Sequence, residues 1–155
     1  CSSTKGLRYS RHHRICAKVA NKLMKNGYGV YREKSYPDPN NSGSYLRPDL
    51  IAVKDGHVIV LDVTVVYEVT GATFINAYQT KVNKYNTIMV QIEQMFNCVS
   101  GVLHGLVIGS RGSIHHNQLH IWHQMGFSST ELKYVAIGCM EDSLRIMSTF
   151  SKAIL

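Results

Sequence analysis

Hydrophobic residues recur along the chain at two different spacings, and the changes between them predict the secondary structure. A spacing of three to four residues indicates an amphipathic helix, whereas alternation or a short β-branched run indicates a strand. The helical spacing covers residues 4–26, 73–96, 114–125 and 130–150. The strand pattern covers residues 29–36, 46–53, 58–67 and 101–109.

The order of these segments predicts the fold class. One helix is followed by three strands, a helix, a strand and two helices, and the Asp-Gly turn at residues 55–56 joins the second and third strands into a hairpin. The β-branched run over residues 58–67 is typical of a strand buried on both faces of a sheet. We therefore expect an α/β protein with a mixed central sheet of about four strands, flanked by helices in a single domain.

Positive charge is concentrated in the first third of the chain. The net charge is +7, but residues 1–47 hold ten Lys or Arg and two acidic residues, whereas residues 48–155 hold seven and eight. Such a basic segment suits a polyanion, either nucleic acid or an anionic membrane surface, although a solvated basic helix face also keeps a protein soluble. The basic arc of the first helix includes Arg8, Arg11, Arg14, Lys18 and Lys22.

The cysteines and the apolar runs indicate the compartment. The four cysteines are far apart and form no Cys-x-x-Cys pair, which favours a reducing intracellular compartment. No apolar run reaches the roughly 18 residues that a membrane span requires, so we expect no membrane-spanning segment.

Two carboxylates interrupt the apolar strands of the predicted hairpin. Asp49 follows Pro48 near the start of the first strand, and Asp62 lies thirteen residues further on, within the second. An unpaired buried carboxylate is unfavourable, so each needs a basic partner, a turn to cap or a metal ion. A tight hairpin brings two such carboxylates side by side, where they suit Mg²⁺, an ion that activates water for attack on a phosphodiester.

A lysine interrupts the apolar stripe of the helix predicted over residues 73–96. Lys81 lies between Tyr78 and Tyr85 on the face expected to pack on the sheet, while Lys84 lies nearer the edge of that face. Since a buried lysine needs a partner, Lys81 is the candidate to pair with the carboxylates and to hold water or stabilise charge on a phosphate. The alternative is that its ammonium group reaches solvent past the tyrosines.

Three further polar residues belong to this picture. Glu68 and Thr64 share the Asp62 side of the strand, provided that the strand continues. His12 lies on the inward stripe of the first helix, where a single histidine is most often a core residue with one satisfied hydrogen bond.

Taken in order, these residues resemble the motifs of a known nuclease family. Over most of residues 5–125 the chain is similar to the PD-(D/E)xK nuclease superfamily. More narrowly, it resembles the restriction-like endonuclease at the C-terminal end of site-specific non-LTR retrotransposon proteins. The matching segments are Arg11-His12, Arg47-Pro48-Asp49-Leu50, Leu61-Asp62-Val63-Thr64-Val65, Tyr67-Glu68, Lys81-x-x-Lys84-Tyr85 and Arg111-Gly112.

The resemblance implies roles for individual residues. Asp49 and Asp62 would hold Mg²⁺ or Mn²⁺. The usual lysine of the superfamily stands two residues after the second acid, where this chain has Thr64. In the retrotransposon branch the following helix supplies that lysine, so the role falls to Lys81 or Lys84. The remaining candidates for the catalytic centre are Tyr85, Glu68 and His12, and those for DNA contact are Arg8, Arg11, Arg14, Lys18, Lys22 and Arg47.

The resemblance also implies a function and partners. Residues 1–155 would form one restriction-like endonuclease domain, with 126–155 as a helical extension, that nicks double-stranded target DNA in the nucleus. The new 3′-hydroxyl would prime reverse transcription by a neighbouring domain of the same polyprotein, with element RNA as a further partner. The family carries a zinc knuckle before the nuclease, and Cys1 matches its last ligand. Because one cysteine cannot hold zinc in a tetrahedral site, we expect no structural zinc within this chain.

Two other functions stay open at this point. An archaeal-type Holliday junction resolvase on the same fold would act on four-way junctions as a symmetric dimer. A non-catalytic nucleic-acid-binding module with a decayed nuclease fold would have lost the acidic residues and the lysine, whereas Asp49, Asp62 and Lys81 are intact in this chain.

Overall fold

A computed structural model describes the backbone of residues 2–154 and the side chains of residues 4–152; the prediction for Cys1 lies outside them. The helices are α1 (Ser2–Lys25), α2 (Gly71–Asn86), α3 (Met89–Met95), α4 (Leu119–Gln124) and α5 (Ser129–Ile154), with a 3₁₀ turn over His116–Gln118 before α4. The strands are β1 (Gly29–Arg32), β2 (Tyr36–Pro37), β3 (Tyr45–Leu46), β4 (Leu50–Lys54), β5 (His57–Val66) and β6 (Ser100–Gly109). Within the described residues, no helix combines the length and the apolar content needed to cross a membrane.

The central sheet has four strands in the order β1-β4-β5-β6. β1, β4 and β5 are antiparallel neighbours, whereas β6 runs parallel to β5. A parallel neighbour requires a crossover connection, and here α2 and α3 form it. The predicted fold class, a mixed four-stranded sheet flanked by helices, is therefore confirmed.

The core lies on both faces of this sheet. Leu61 and Val63 of β5 face a core shared with α1, α4 and α5, in which Trp122 is fully buried. Val60 of the same strand faces the other way, into a core shared with α2 and α3 that includes Tyr85. β5 is thus buried on both faces, as its β-branched run predicts.

The helix predicted over residues 73–96 is two helices. α2 ends at Asn86 and α3 begins at Met89. Between them Ile88 has φ −107° and ψ 1°, which lies outside the helical region. The β-branched pair Thr87-Ile88 has low helix propensity, and the change of direction leaves both Ile88 and Ile92 fully buried against the sheet.

The strand predicted over residues 29–36 ends early. β1 stops at Arg32 because Glu33 adopts a left-handed φ of 50°, which an extended strand does not contain. Residues Tyr36–Pro37 pair instead with Tyr45–Leu46, so that a small hairpin around residues 38–44 replaces the end of the predicted strand.

The first helix has the inward stripe that its sequence predicts. Cys16, Val19 and Leu23 are buried, and Gly27, with φ 85°, ends the helix in the left-handed conformation that favours glycine. Tyr9, which precedes these residues at helical spacing, is exposed and packs against His13 with 4.0 Å between ring centroids.

Candidate active site

The strand register brings the two predicted carboxylates to neighbouring positions where β4 begins. Leu50 pairs with Leu61, so one further step of the antiparallel register puts Asp49 opposite Asp62. Side chains directly opposite each other in an antiparallel pair lie on the same face with close Cβ atoms. Asp49 Oδ2 also accepts a hydrogen bond of 2.7 Å from the backbone N–H of Val63, which ties the start of β4 to β5.

Lys81 reaches the carboxylates from α2. Its Nζ lies 2.6 Å from Asp62 Oδ2, in an ion pair that lacks the direction of a regular hydrogen bond. The side chain of Asp62 is only 4% exposed, whereas that of Lys81 is 24% exposed and so retains contact with solvent. A buried carboxylate needs such a partner, and Lys81 is therefore directed to the sheet as its place on the apolar stripe predicts.

A glycine in β6 lets α2 come this close to the sheet. Gly105 is the parallel neighbour of Asp62, and a Cβ added to it would lie 3.1 Å from Lys81 Cβ and 3.3 Å from the backbone of Tyr78. Buried Gln118 holds this stretch of β6 in place, because its amide donates to the Gly105 carbonyl and accepts from Val107 N–H. Sequence reasoning missed both residues, although glycine within a strand does signal a close approach.

His12 and Cys16 meet Asp49 from α1. His12 Nε2 lies 3.0 Å from Asp49 Oδ1, and Cys16 Sγ lies 3.5 Å from the same nitrogen. The hydrogen bond to Asp49 raises the pKa of His12 above its ordinary value, although partial burial opposes this shift. His12 thus has the satisfied hydrogen bond that its inward position predicts. Cys16 was missed; its signal was the spacing of four residues from His12, which puts both on one helix face.

Lys84 and Tyr85 lie beside the centre, and the Tyr85 hydroxyl is next to Asp62. Tyr85 donates its phenolic O–H to the carbonyl of Arg47 at 3.1 Å, and Lys84 Nζ donates to the Tyr85 oxygen at 3.0 Å. Burial raises the pKa of Tyr85 above its ordinary value, and the hydrogen-bonding interaction with Asp62 and the charge of Asp62 raise it further. Tyr85 therefore fixes the segment before Asp49, and Lys84 supports Tyr85.

Glu68 lies past the end of β5 and binds the loop after β6. Its carboxylate accepts hydrogen bonds from Ser110 Oγ, Ser113 Oγ and Arg111 N–H. Burial opposes ionisation, but the hydrogen bonds from Ser113, Arg111 and Ser110 outweigh it and lower the pKa of Glu68 to about 2. The contacts of Glu68 are with this loop, not with Asp49 or Asp62, because β5 ends at Val66 and the chain turns away.

Four of the basic side chains of α1 bind α5. The contacts are Arg11 to Ser143, Arg14 to Asp142, Lys18 to the carbonyl of Tyr134, and Lys22 to Glu131. The helix α5 therefore lies beside the basic arc of α1, although Arg14 and Lys18 stay exposed. Arg8 and Arg47 are exposed, and Arg8 lines a groove of about 560 Å³ with Arg11 and Arg111.

Two sets of ligand atoms follow from this geometry. Asp49 and Asp62 offer carboxylate oxygens, the donors that Mg²⁺ and Mn²⁺ prefer. Next to Asp62 on the same face, Thr64 Oγ1 is buried and makes no hydrogen bond with the described residues. His12, Cys16 and Asp49 form a second set, with nitrogen, sulfur and oxygen atoms all within 4.8 Å of one another.

The chain is similar to a segment of a retrotransposon polyprotein and to a solved structure. No protein-family model matches the chain. Over 115 residues, 72% of its length, the chain is 25% identical to the retrovirus-related Pol polyprotein from type-2 retrotransposable element R2DM of Drosophila melanogaster, and it spans about a tenth of that polyprotein. A crystal structure of a protein of unknown function, AF1548, is similar with a TM-score of 0.40 and 12% identity, covering 94% of this chain and 99% of that one.

Proposed function

We propose that this chain is a metal-dependent DNA endonuclease domain of a retrotransposon polyprotein. The observation that carries the proposal is the ion pair of 2.6 Å between Lys81 and Asp62. It lies at a point of the sheet where the strand register brings a second carboxylate, Asp49, alongside. The similarity to a segment of a retrotransposon Pol polyprotein supports the biological setting.

The acidic pair fits a hard divalent cation. Asp62 Oδ2 has no directed hydrogen bond and Thr64 Oγ1 has no partner among the described residues, so this face retains unused acceptor capacity. Asp49 and Asp62 would hold Mg²⁺ or Mn²⁺. Such an ion polarises the phosphodiester and lowers the pKa of a bound water.

The residues of the chain would supply positioning and charge. The Lys81 side chain is 24% exposed, so its ammonium group can turn to a phosphate or hold the attacking water. His12 would fix the orientation of Asp49, and Tyr85 would hold the Arg47 backbone just before it. Attack by water on phosphorus with cleavage of the P–O3′ bond leaves a 5′-phosphate and the 3′-hydroxyl that a polymerase extends.

The proposed substrate is double-stranded DNA, held through its phosphates. Arg47 is exposed two residues before Asp49, and Arg8, Arg11 and Arg111 line the groove beside the end of β5. Phosphate contacts of this kind bind without regard to sequence. The chain spans about a tenth of the related polyprotein, so we assign target choice and priming to a reverse transcriptase and a zinc knuckle of the same polyprotein, with element RNA as a further partner. Its place of action would be the nucleus.

A plasmid-nicking assay tests the proposal directly. The chain is titrated with Mg²⁺ or Mn²⁺, and conversion of supercoiled plasmid to open circles is followed on a gel. Asp49→Asn and Asp62→Asn should abolish nicking and leave DNA binding close to wild type. The matched control is Asp55→Asn on the same hairpin, because Asp55 is exposed in the turn and its left-handed φ of 51° suits asparagine.

Three results would count against the proposal. They are the absence of nicking by the wild-type chain with either metal, nicking by the doubly substituted chain, and an equal loss in the Asp55→Asn control. If the nicks form, extension of their ends by a polymerase checks that they carry 3′-hydroxyl groups.

A further inference from the structure

His12, Cys16 and Asp49 form a ligand set of mixed chemistry at the margin of the acidic pair. Nitrogen, sulfur and oxygen atoms from these three side chains lie within 4.8 Å of one another. His12 and Cys16 stand four residues apart on one face of α1, and Asp49 comes from the sheet across from them. The helix α1 therefore supplies two donors, and the residue directly before β4 supplies the third.

We propose that His12, Cys16 and Asp49 bind one Zn²⁺ ion, with water as the fourth ligand, and that this ion controls the neighbouring carboxylate site. A sulfur and a nitrogen bound to one zinc at a tetrahedral angle are about 3.6 Å apart, given bonds of about 2.3 and 2.05 Å. Cys16 Sγ and His12 Nε2 are 3.5 Å apart before any ion binds. Binding would release the thiol proton, and any proton on His12 Nε2, to solvent.

The donor set favours zinc over magnesium. A thiolate and an imidazole are soft or borderline ligands that select Zn²⁺, whereas Mg²⁺ requires oxygen donors. The cluster is open on one side, since the side chains of His12 and Asp49 are 29% and 16% exposed while Cys16 is buried. Three protein ligands leave one position for water, so this is not the closed, four-ligand kind of site that holds a fold together.

The consequence for activity depends on the proposed function. Asp49 belongs to both ligand sets, so Zn²⁺ held by His12 and Cys16 would withdraw Asp49 from a catalytic Mg²⁺ or Mn²⁺. Zinc would then inhibit nicking, and the inhibition would require Cys16 although Cys16 has no part in the nicking reaction.

Direct metal titration tests the site without reference to nicking. The chain competes for Zn²⁺ with a chromophoric chelator, and Co²⁺ serves as a spectroscopic probe whose near-ultraviolet charge-transfer band reports a thiolate ligand. The wild-type chain should bind one Zn²⁺, and Cys16→Ala and Cys16→Ser should weaken binding at least tenfold and abolish the cobalt–thiolate band. Cys98→Ala is the control with another cysteine removed, and it should bind as the wild type does.

The two Cys16 variants keep the test decisive. Serine preserves the volume of the side chain and alanine removes the polar atom, and circular dichroism shows which variants are folded. Zinc binding of unchanged affinity in a folded Cys16 variant would overturn the site, as would a wild-type chain that binds no zinc or gives no thiolate band with Co²⁺.

A nicking assay with added zinc tests the regulatory part of this proposal, which rests on the proposed endonuclease function. Zinc should inhibit Mg²⁺-dependent nicking by the wild type, whereas the nicking rate of Cys16→Ala should not fall below that variant's own zinc-free rate. Equal inhibition of both chains would overturn the control by zinc. If the wild type does not nick under any metal, the endonuclease proposal fails, while the zinc site is still decided by the titration.

Discussion

At the scale of single residues, Lys81 and Lys84 lie one turn apart on α2 but have different partners. Lys81 pairs with Asp62, whereas Lys84 binds the Tyr85 hydroxyl and lies over its ring, 4.6 Å from the centroid. We expect Lys81→Ala to lower the single-turnover nicking rate about 10²- to 10³-fold, the loss typical of one positioned electrostatic group. Lys84→Ala should cost tenfold or less. A larger loss in Lys84→Ala than in Lys81→Ala would reverse the assignment.

Glu68 is expected to stabilise the fold in a pH-dependent way. Its pKa is about 2, below the ordinary 4.5, because hydrogen bonds from Ser113, Arg111 and Ser110 outweigh the effect of burial. A depressed pKa gives stability that is present above the ordinary value and lost as the pH falls towards the depressed one. Glu68→Gln keeps the shape but removes the charge, so it should lower the free energy of unfolding by about 1.5–3 kcal/mol at pH 7. Urea unfolding should show the gap closing between pH 4.5 and 2, and a constant gap would contradict the assignment.

The sequence identifies residues whose chemistry conflicts with their surroundings. Asp49, Asp62 and Lys81 stand out because charges interrupt apolar patterns, and the structure brings Lys81 to Asp62. Cys16 does not stand out, since a cysteine on an apolar stripe fits the core without conflict. The hydrogen-bond partners of Glu68 could not be predicted from the sequence either, because they depend on where β5 ends and on how the chain turns afterwards.

At the scale of elements, the distance between α2 and the sheet depends on Gly105. An added methyl group there would lie 3.1 Å from Lys81 Cβ and 3.3 Å from the Tyr78 backbone. The Tyr78 backbone can move away only if the whole of α2 shifts. We expect Gly105→Ala to destabilise the protein by about 1–3 kcal/mol and to slow nicking about tenfold or more, since Lys81 would shift from Asp62.

Gly6→Ala is the matched control for that substitution. It adds the same methyl group within α1, where nothing lies within 4 Å. Alanine favours a helix over glycine by about 1 kcal/mol, so this variant should be as stable as the wild type or more so. Equal losses in the two variants, measured by urea unfolding and by nicking, would show that the fit of α2 on β6 is not what positions Lys81.

The elements themselves were largely predictable, and their ends were not. Periodicity is a property of consecutive residues, so the helices and the strands of the sheet could be located from the sequence. The break at Ile88 and the early end of β1 at Glu33 depend on which side chains the sheet accepts and on the pairing with β4. Such tertiary contacts override local preference.

At the scale of the whole molecule, the packing of α5 on α1 gives part of the basic arc a structural role. Arg14 pairs with the buried carboxylate of Asp142, and Lys22 pairs with Glu131 at 2.7 Å. These contacts join residues more than a hundred positions apart, so no local sequence pattern could predict them. Part of the positive charge that the sequence assigned to DNA therefore joins the first helix to the last.

This division of the basic residues predicts which of them determine the salt dependence of DNA binding. Arg8 and Arg47 are exposed, so replacing both with alanine should lower the slope of log affinity against log salt by about two, at about 0.9 for each phosphate contact. Lys18→Ala with Lys22→Ala removes the same charge, but these ammonium groups are directed to α5. That pair should change the slope by less than half as much and lower the free energy of unfolding only slightly, because exposed ion pairs contribute little to stability. Binding titrations without divalent metal on one duplex at several salt concentrations measure the slopes. Equal slopes for the two double variants would mean that net charge, and not the position of each group, governs binding.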